Sequence, residues 1–380
     1  MLAFSFPTMI QGRLLPDLGL LCWISLVPLF FAIRDARPLR AFLYSFAMGV
    51  VCYSITIWWI YRALKVYGGI TTSLSIFITA LLIFMVSAFA GLACSIAVWL
   101  HRKSRAEFIL LISVSWVVVE YLRHYIPFGG FPWANLAMSQ TSYLPVIQIV
   151  DLVGLFGVIF LIVWVNYFIV ELILKLRHEY VSLFWAKMAI TLVLLISTIA
   201  YGYIRIDQFQ GGFDSDGITV GVIQGNVAQE DKWNRDKAEN NLSFYRESAK
   251  QLSLVPVDLI VWPEAAFPYL IKMPFYAIDP AKLGVVPTLG SPLPYTLLGA
   301  VTENVNRRFG NSALLFDSKG MLQDVFNKAH LVPFGEYVPL RKLFFFVDKI
   351  TTFPSDDMVA GTSFEPFNLG NHKISMLICY

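Results

Sequence analysis

Charge is what this chain has least of. Only 14% of its 380 residues are Asp, Glu, Lys or Arg, against about 25% in a soluble domain. Hydrophobic residues make up 57%, which excludes both a disordered chain and an ordinary soluble enzyme. The net charge is +3, with no run of five or six like charges, so the electrostatic footprint of a nucleic-acid binder is missing. Cysteine is scarce as well. Cys22, Cys52, Cys94 and Cys379 are the four, without regular spacing, which excludes a disulfide scaffold and a zinc ribbon.

The charges that exist are unevenly spread. Residues 217–380 hold 31 of the 55, and this shift divides the chain into a membrane-embedded part, 1–210, and a water-exposed part, 217–380. In the first part, uncharged stretches cover 18–33, 41–61, 66–100, 152–170 and 188–204. A spanning helix needs about 20 apolar residues, and six spans are predicted near 17–34, 41–62, 73–100, 107–124, 148–174 and 186–206. Lys and Arg in the connecting segments are asymmetric. Arg34, Arg37, Arg40, Arg102, Lys103, Arg105, Lys175, Arg177 and Lys187 fall on one side, and Arg62, Lys65, Arg123 and Arg205 on the other. The positive-inside rule puts the richer side in the cytoplasm and the segment after Arg205 outside. That topology also puts the N-terminus outside, which suggests an additional helix before Met1. Glu120 and Arg123, three apart, read as an ion pair within one helix. Asp151 and Glu171 lie near opposite ends of one span. The aromatic, turn-rich segment 127–133 suits the headgroup layer, or borders a path for lipid.

From Gly217 the periodicity changes. Residues 218–226 read as a strand ending in a turn, and 232–252 as an amphipathic helix with Leu242, Tyr245, Ala249 and Leu252 on one face. Short strands follow at 258–262 and 295–302. Residues 311–317 and 321–326 form a predicted hairpin turning at Ser318-Lys-Gly320, and 373–378 a last strand. This mixture predicts a layered α/β or α+β domain. Glu264, Lys328 and Cys379 each stand directly after a predicted strand. A Cys nucleophile needs a cation that favours its thiolate and a base that takes its proton, and a Lys can also stabilise an oxyanion. The same residues also fit two solvated surface charges and a core thiol, and spacing alone leaves both readings open. The other three cysteines fall within predicted spans and read as packing residues.

Trp262-Pro-Glu264-Ala, the block from Asn327-Lys328 through His330-Leu-Val-Pro-Phe-Gly-Glu336-Tyr-Val-Pro339, and Ile378-Cys379-Tyr380 resemble, in order, the signature blocks of the apolipoprotein N-acyltransferases. The middle block is the specific one, since soluble nitrilases and amidases share only the Glu, Lys, Cys logic. Val222-Ile-Gln-Gly-Asn226 with Lys232-Trp233 resembles the opening of the family's catalytic domain, and Gly130-Phe-Pro-Trp133 its outer membrane loop. The resemblance implies a polytopic α-helical transmembrane bundle carrying an α/β nitrilase-like α-β-β-α sandwich. It implies a bacterial inner-membrane protein, multi-pass, with the sandwich on the periplasmic side.

The resemblance also implies roles. Cys379 is the nucleophile that carries an acyl chain as a thioester, Glu264 the general base, and Lys328 the oxyanion stabiliser. Glu336 supports the site, Trp233 and Tyr380 shape the acyl and headgroup pocket, and His330 is structural. A phospholipid donates the chain, and the α-amine of a diacylglyceryl-cysteine on an apolipoprotein accepts it. No cofactor, metal or nucleic acid is implied, and the expected state is a monomer. In the family the domain continues past the nucleophile, so the sandwich is expected to be C-terminally incomplete here and the chain 1–380 catalytically inactive. Two alternatives remain: a membrane-tethered carbon-nitrogen hydrolase (amidase or nitrilase), and an inactive fragment. The apolar run 343–347 argues against the first, because exposed apolar residues in a connection signal contact with membrane or a partner.

Overall fold

The computed structural model describes residues 1–7, 9–10, 13–14, 18–210, 217–273, 284–285, 293–343 and 357–379. The chain divides into two compact units. One comprises Met1–Leu64 and Thr71–Gly212, the other Lys65–Ile70 and Phe213–Tyr380.

The first unit opens with a small ladder of β1 (Met9–Ile10) and β2 (Arg13–Leu14) and is otherwise helical. Its helices are α1 (Val27–Ile33), α2 (Pro38–Thr56), α3 (Trp59–Arg62), α4 (Thr72–Lys103), α5 (Phe108–Arg123), α6 (Leu144–Ile147), α7 (Val150–Leu176) and α8 (Phe184–Gln210). Among the described residues, four helices are long and apolar enough to cross a membrane: α2, α4, α7 and α8. At two of the six expected spans the described helices are shorter than that length. Residues 17–34 break into a 3-10 turn, Gly19–Trp23, and the seven-residue α1. Pro28 at the start of α1 supplies no N–H to a continuing helix. The span near 107–124 is helical over 16 residues, about 24 Å at 1.5 Å per residue, short of a hydrocarbon core of about 30 Å. Within α7, Gly154 leaves helical geometry at φ 63.

Most polar groups buried in this unit have partners. Asn166 donates to the carbonyls of Cys22 and Ile162 and accepts from the Leu26 N–H, each at 2.9 Å. It thereby holds the broken 19–33 segment against α7. Glu120 pairs with Arg123, whose Nη1 also donates to the Trp133 carbonyl at 2.9 Å. Lys187 is buried between Glu171 at 2.6 Å and Glu107 at 2.8 Å. Asp151 accepts from Arg205 at 3.0 Å and from the Tyr201 hydroxyl at 2.9 Å. Cys22, Cys52 and Cys94 are all buried.

The second unit is built on a sheet that has six strands among the described residues. These are β3 (Val220–Val222), β4 (Leu259–Val261), β5 (Phe267–Lys272), β6 (Tyr295–Glu303), β7 (Phe309–Phe316) and β8 (Leu322–Asn327). Strands β3, β4 and β6 run parallel, and β6, β7 and β8 are antiparallel neighbours. Strand β5 pairs with β6 further along the edge that β4 also uses. The predicted amphipathic helix is divided into α9 (Gln229–Lys232) and α10 (Arg235–Leu252), with Asn234 capping α10 through a bond from the Asp236 N–H.

Helix α10 buries Leu242, Tyr245 and Ala249 in a core with Ile223, Ile260, Trp262, Phe267, Leu298 and Leu314. The opposite face of the sheet buries Leu259, Leu297, Ala313, Leu315 and Phe326 against a hairpin of β9 (Phe367–Leu369) and β10 (His372–Ile374). Helix, sheet and hairpin thus form three layers of the mixed, nitrilase-like fold. The predicted last strand, 373–378, is corrected to a three-residue strand, because its partner β9 is only three residues long. Past Ile374 the alternation persists without pairing, and Met376 and Ile378 pack inward. Strands β5 and β9 were not anticipated from the sequence.

Candidate active site

Strand β4 stops at Val261, and β5 takes up the same edge of β6 at Phe267. Glu264 occupies the break between them. The chain turns there through Ala265, whose φ is +46, a region costly for a residue with a Cβ. The turn is held by the Trp262 N–H on Leu297 O at 2.8 Å and the Ala266 N–H on Pro263 O at 3.2 Å. Gly299 makes the crossing possible. A Cβ there would stand 2.1 Å from the Pro263 carbonyl oxygen. The strand interruption therefore presents a carboxylate at the sheet's edge.

Lys328 is the first residue after β8. Its N–H donates to Asn311 O at 2.8 Å, extending the β7–β8 ladder by one step and making Asn311 and Lys328 cross-strand neighbours. Glu336 closes a tight loop. Its carboxylate Oε2 accepts from the Val332 N–H at 2.8 Å, and its own N–H donates back to Val332 O at 2.9 Å. Gly361 packs against the same strand end, donating to Lys328 O at 2.9 Å, where a Cβ would stand 2.1 Å from Asn327 O.

These elements bring four side chains into one ring. Lys328 Nζ donates to Glu336 Oε1 at 2.9 Å and lies 3.4 Å from Glu264 Oε1. Asn311 Nδ2 donates to Glu264 Oε1 at 2.6 Å and to Glu336 Oε1 at 3.1 Å. Lys328 is 2% exposed, Glu336 14% and Glu264 35%. The carboxylate open to an incoming group is therefore Glu264. Burial acts to lower the Lys328 pKa. The bond and charge of Glu336, with the charges of Glu264 and Cys379, outweigh it and raise the group above its ordinary value. Lys328 is a permanent cation at neutral pH.

Cys379 is exposed and holds a positive φ of 47. Its charge acts on both Lys328 and Lys232, so the thiol lies within electrostatic reach of two ammonium groups. Lys232, the last residue of α9, donates from Nζ to the main-chain oxygen of Glu264 at 2.8 Å. Lys232 and Glu264 line one cavity of about 370 Å³, together with Gln224, Asn226, Asn241 and Tyr245.

The other sequence candidates fall elsewhere. Trp233 is the C-cap residue just after α9, is 53% exposed and does not line that cavity. His330 is exposed. Tyr380 lies outside the described residues, as does all of the 343–347 run except Leu343, which is exposed. That segment is flanked by a clasp in which Arg341 Nη2 donates to Asp357 Oδ1 at 2.6 Å and the Val338 N–H donates to the same oxygen at 2.9 Å. Among the described residues, no group of three or more His, Cys, Asp and Glu is placed to hold a metal ion. Sequence reasoning missed Asn311 and Lys232 as members of the site. The signal for Asn311 was present: a carboxamide opening an otherwise apolar strand interior has to find polar partners.

A carboxylate, a fixed cation and a thiol within electrostatic reach are groups that acyl transfer can use. Comparison with known proteins points to acyl transfer as well. Residues 1–168 match the family described as apolipoprotein N-acyltransferase N-terminal domain, and residues 219–380 match carbon-nitrogen hydrolase. The apolipoprotein N-acyltransferase of Geobacter metallireducens is 33% identical over 391 aligned positions, covering 100% of this chain and 71% of that protein. The enzyme of the same name from Haemophilus influenzae is 27% identical, covering 95% of this chain and 68% of its own length. A crystal structure of an N-terminal amidase aligns over 30% of this chain and 28% of its own, at 19% identity and a TM-score of 0.23, a likeness too slight to carry weight. With both of its parts matched and a relative at this identity along its whole length, the chain belongs to the apolipoprotein N-acyltransferase family.

Proposed function

We propose, against the expectation of inactivity drawn from the sequence, that the chain performs its family's reaction, N-acylation of lipoproteins, in two half-reactions on Cys379. The observation that carries this reading is the ring in which one buried lysine serves two carboxylates, with Glu264 open and the Cys379 thiol in range. In the first half-reaction Glu264 takes the proton from Cys379 Sγ, and the sulfur attacks the ester carbonyl of a phospholipid. Lys328 faces the negative charge that develops on the carbonyl oxygen. The C–O bond then breaks, and the lysophospholipid alkoxide leaves with the proton from Glu264. A thioester remains on Cys379.

In the second half-reaction the α-amine of a diacylglyceryl-cysteine attacks that thioester. Glu264 receives the amine proton, the C–S bond breaks and the thiolate is restored. Glu336 and Asn311 do not meet the substrate in this scheme. They fix Lys328 and Glu264 relative to each other. Trp233 is assigned to the path of the acyl chain and headgroup; the same role for Tyr380, and a membrane-contacting role for 343–347, rest on the sequence alone. Residues 1–210 form the membrane bundle and 217–380 the catalytic domain, facing the periplasm across the inner membrane, as the Lys and Arg asymmetry directs. The protein acts as a monomer.

The test is N-acylation of a diacylated lipoprotein by membranes containing the chain. Cys379→Ala is expected to abolish transfer. Cys379→Ser is expected to abolish it nearly as completely, because the hydroxyl is far less acidic than a thiol of pKa about 8.5. Wild-type rates in Cys379→Ala would overturn the assignment.

A further inference from the structure

The ring around Lys328 is electrostatically incomplete. Glu264 and Glu336 contribute two negative charges against the single cation Lys328. When Glu264 takes the Cys379 proton the count is unchanged: thiolate and Glu336 still set two negative charges against one cation, and like charge disfavours ionisation. The nearest remedy is another cation. Lys232 is the described residue that meets the geometric requirements. It lines the cavity that Glu264 lines. Its Nζ is 2.8 Å from the Glu264 carbonyl oxygen, so it grips the turn whose next residue, Ala265, sits at positive φ.

We propose that Lys232 is a positioning residue of this active site, clamping the Glu264 turn through its main-chain carbonyl and supplying the second cation that lets the Cys379 thiolate form. This rests on the reading of Glu264 as base and Cys379 as nucleophile. The charged groups concerned are Lys232 from α9, Glu264 from the β4–β5 break, Lys328 from the end of β8, and Glu336 from the loop beyond it. Asp231, the neighbour of Lys232, is paired with Lys237 at 2.6 Å and leaves the Lys232 charge uncompensated. Burial lowers the Lys232 pKa, and the charges of Glu264 and Cys379 offset that only in part.

The proton path gives Lys232 a constant task. When Glu264 takes the Cys379 proton, negative charge moves from carboxylate to sulfur. Both positions act on the same ammonium, so the transfer proceeds without the cation having to move. A lysine stem of four methylenes ending a four-residue helix suits this role, because the preceding turn fixes where it starts.

The experiment measures alkylation of Cys379 by iodoacetamide against pH in the full chain in membranes, quantified by mass spectrometry of the Cys379 peptide. The variants are Lys232→Met, Lys232→Arg and, as a matched surface change, Lys250→Met on the exposed side of α10. Lys232→Met is expected to slow alkylation roughly tenfold at neutral pH and to move the profile up by about one pH unit. Lys232→Arg is expected to restore most of the rate, and Lys250→Met to follow wild type. An activated wild-type Cys379 with a Lys232→Met profile superimposed on it would overturn the inference. Equal slowing by Lys232→Arg would overturn it too, since charge would then not be what matters. Ordinary thiol reactivity in the wild type would instead overturn the nucleophile assignment beneath it.

Discussion

Two buried cations, Arg123 in the helical unit and Lys328 in the sheet unit, are compensated in opposite ways. In the helical unit the single cation Arg123 is matched by the single carboxylate Glu120, whereas Lys187 faces two, Glu171 at 2.6 Å and the half-exposed Glu107 at 2.8 Å. Arg123 is fully buried and its partner is 8% exposed. In the sheet unit one fully enclosed cation, Lys328, faces two carboxylates, and one of them is 35% exposed. The Arg123–Glu120 arrangement is closed: its charges cancel, and Arg123 holds its helix to the 127–134 segment through the Trp133 carbonyl. The Lys328 ring has an excess of acceptors and an open side, which suits a group that must take up and release protons. A buried ion pair is therefore not by itself a sign of chemistry. Nor is an unbalanced, half-open cluster, as Lys187 with Glu171 and Glu107 shows; what sets the Lys328 ring apart is the Cys379 thiol within electrostatic reach.

Breaking each arrangement should separate these roles. The largest effect on chemistry is expected from Lys328→Met, which removes the cation from between Glu264 and Glu336. Acyl transfer should fall by at least about 10²–10³-fold, the scale of losing an oxyanion-stabilising group, while the membrane unit stays folded. The check is transfer rate per folded molecule, set beside protease mapping of the two units.

Arg123→Leu should show the reverse pattern. It leaves Glu120 buried and unpaired, a loss of about 3–5 kcal/mol for a buried pair, and frees the Trp133 carbonyl. Yield and thermal stability in detergent should fall, while the Cys379 chemistry of the surviving folded protein is spared. A normal melting point would show that the pair is not structural. Asn311→Ala is a finer probe, because it cuts the second bridge between the two carboxylates and leaves all charges in place. A loss of about tenfold in turnover, with little change in apparent donor affinity, is expected of a residue that aligns the base. A change confined to donor affinity would remove Asn311 from the ring's function.

Much of this organisation was legible in the residues. The change in charge density at 217 coincides with the change from helices to sheet, because apolar length and strand alternation are both written locally. The blocks around Glu264, Lys328 and Glu336 mark places where a strand ends at proline or at a turn, and the fold converges on those places. What was missed required long-range pairing. Nothing near Phe267 announces that β5 shares an edge of β6 with β4, and that shared edge is what turns Glu264 outward. Asn311 joins the site only through the β7–β8 register that sets it opposite Lys328. The sequence did not show where helices break within the six expected spans: at the turn before Pro28, and at the ends of α5, which is 16 residues long.

The central claim is that the half-open ring serves a covalent acyl intermediate on Cys379. The most direct measurement incubates the chain in membranes with phospholipid and no lipoprotein acceptor, then records the mass of the Cys379 peptide. The account predicts a hydroxylamine-labile adduct of fatty-acyl mass on Cys379, absent in Lys328→Met and discharged when a diacylated lipoprotein is added. Transfer of the acyl chain to the acceptor while Cys379 stays unmodified, or an adduct that added acceptor does not discharge, would contradict it.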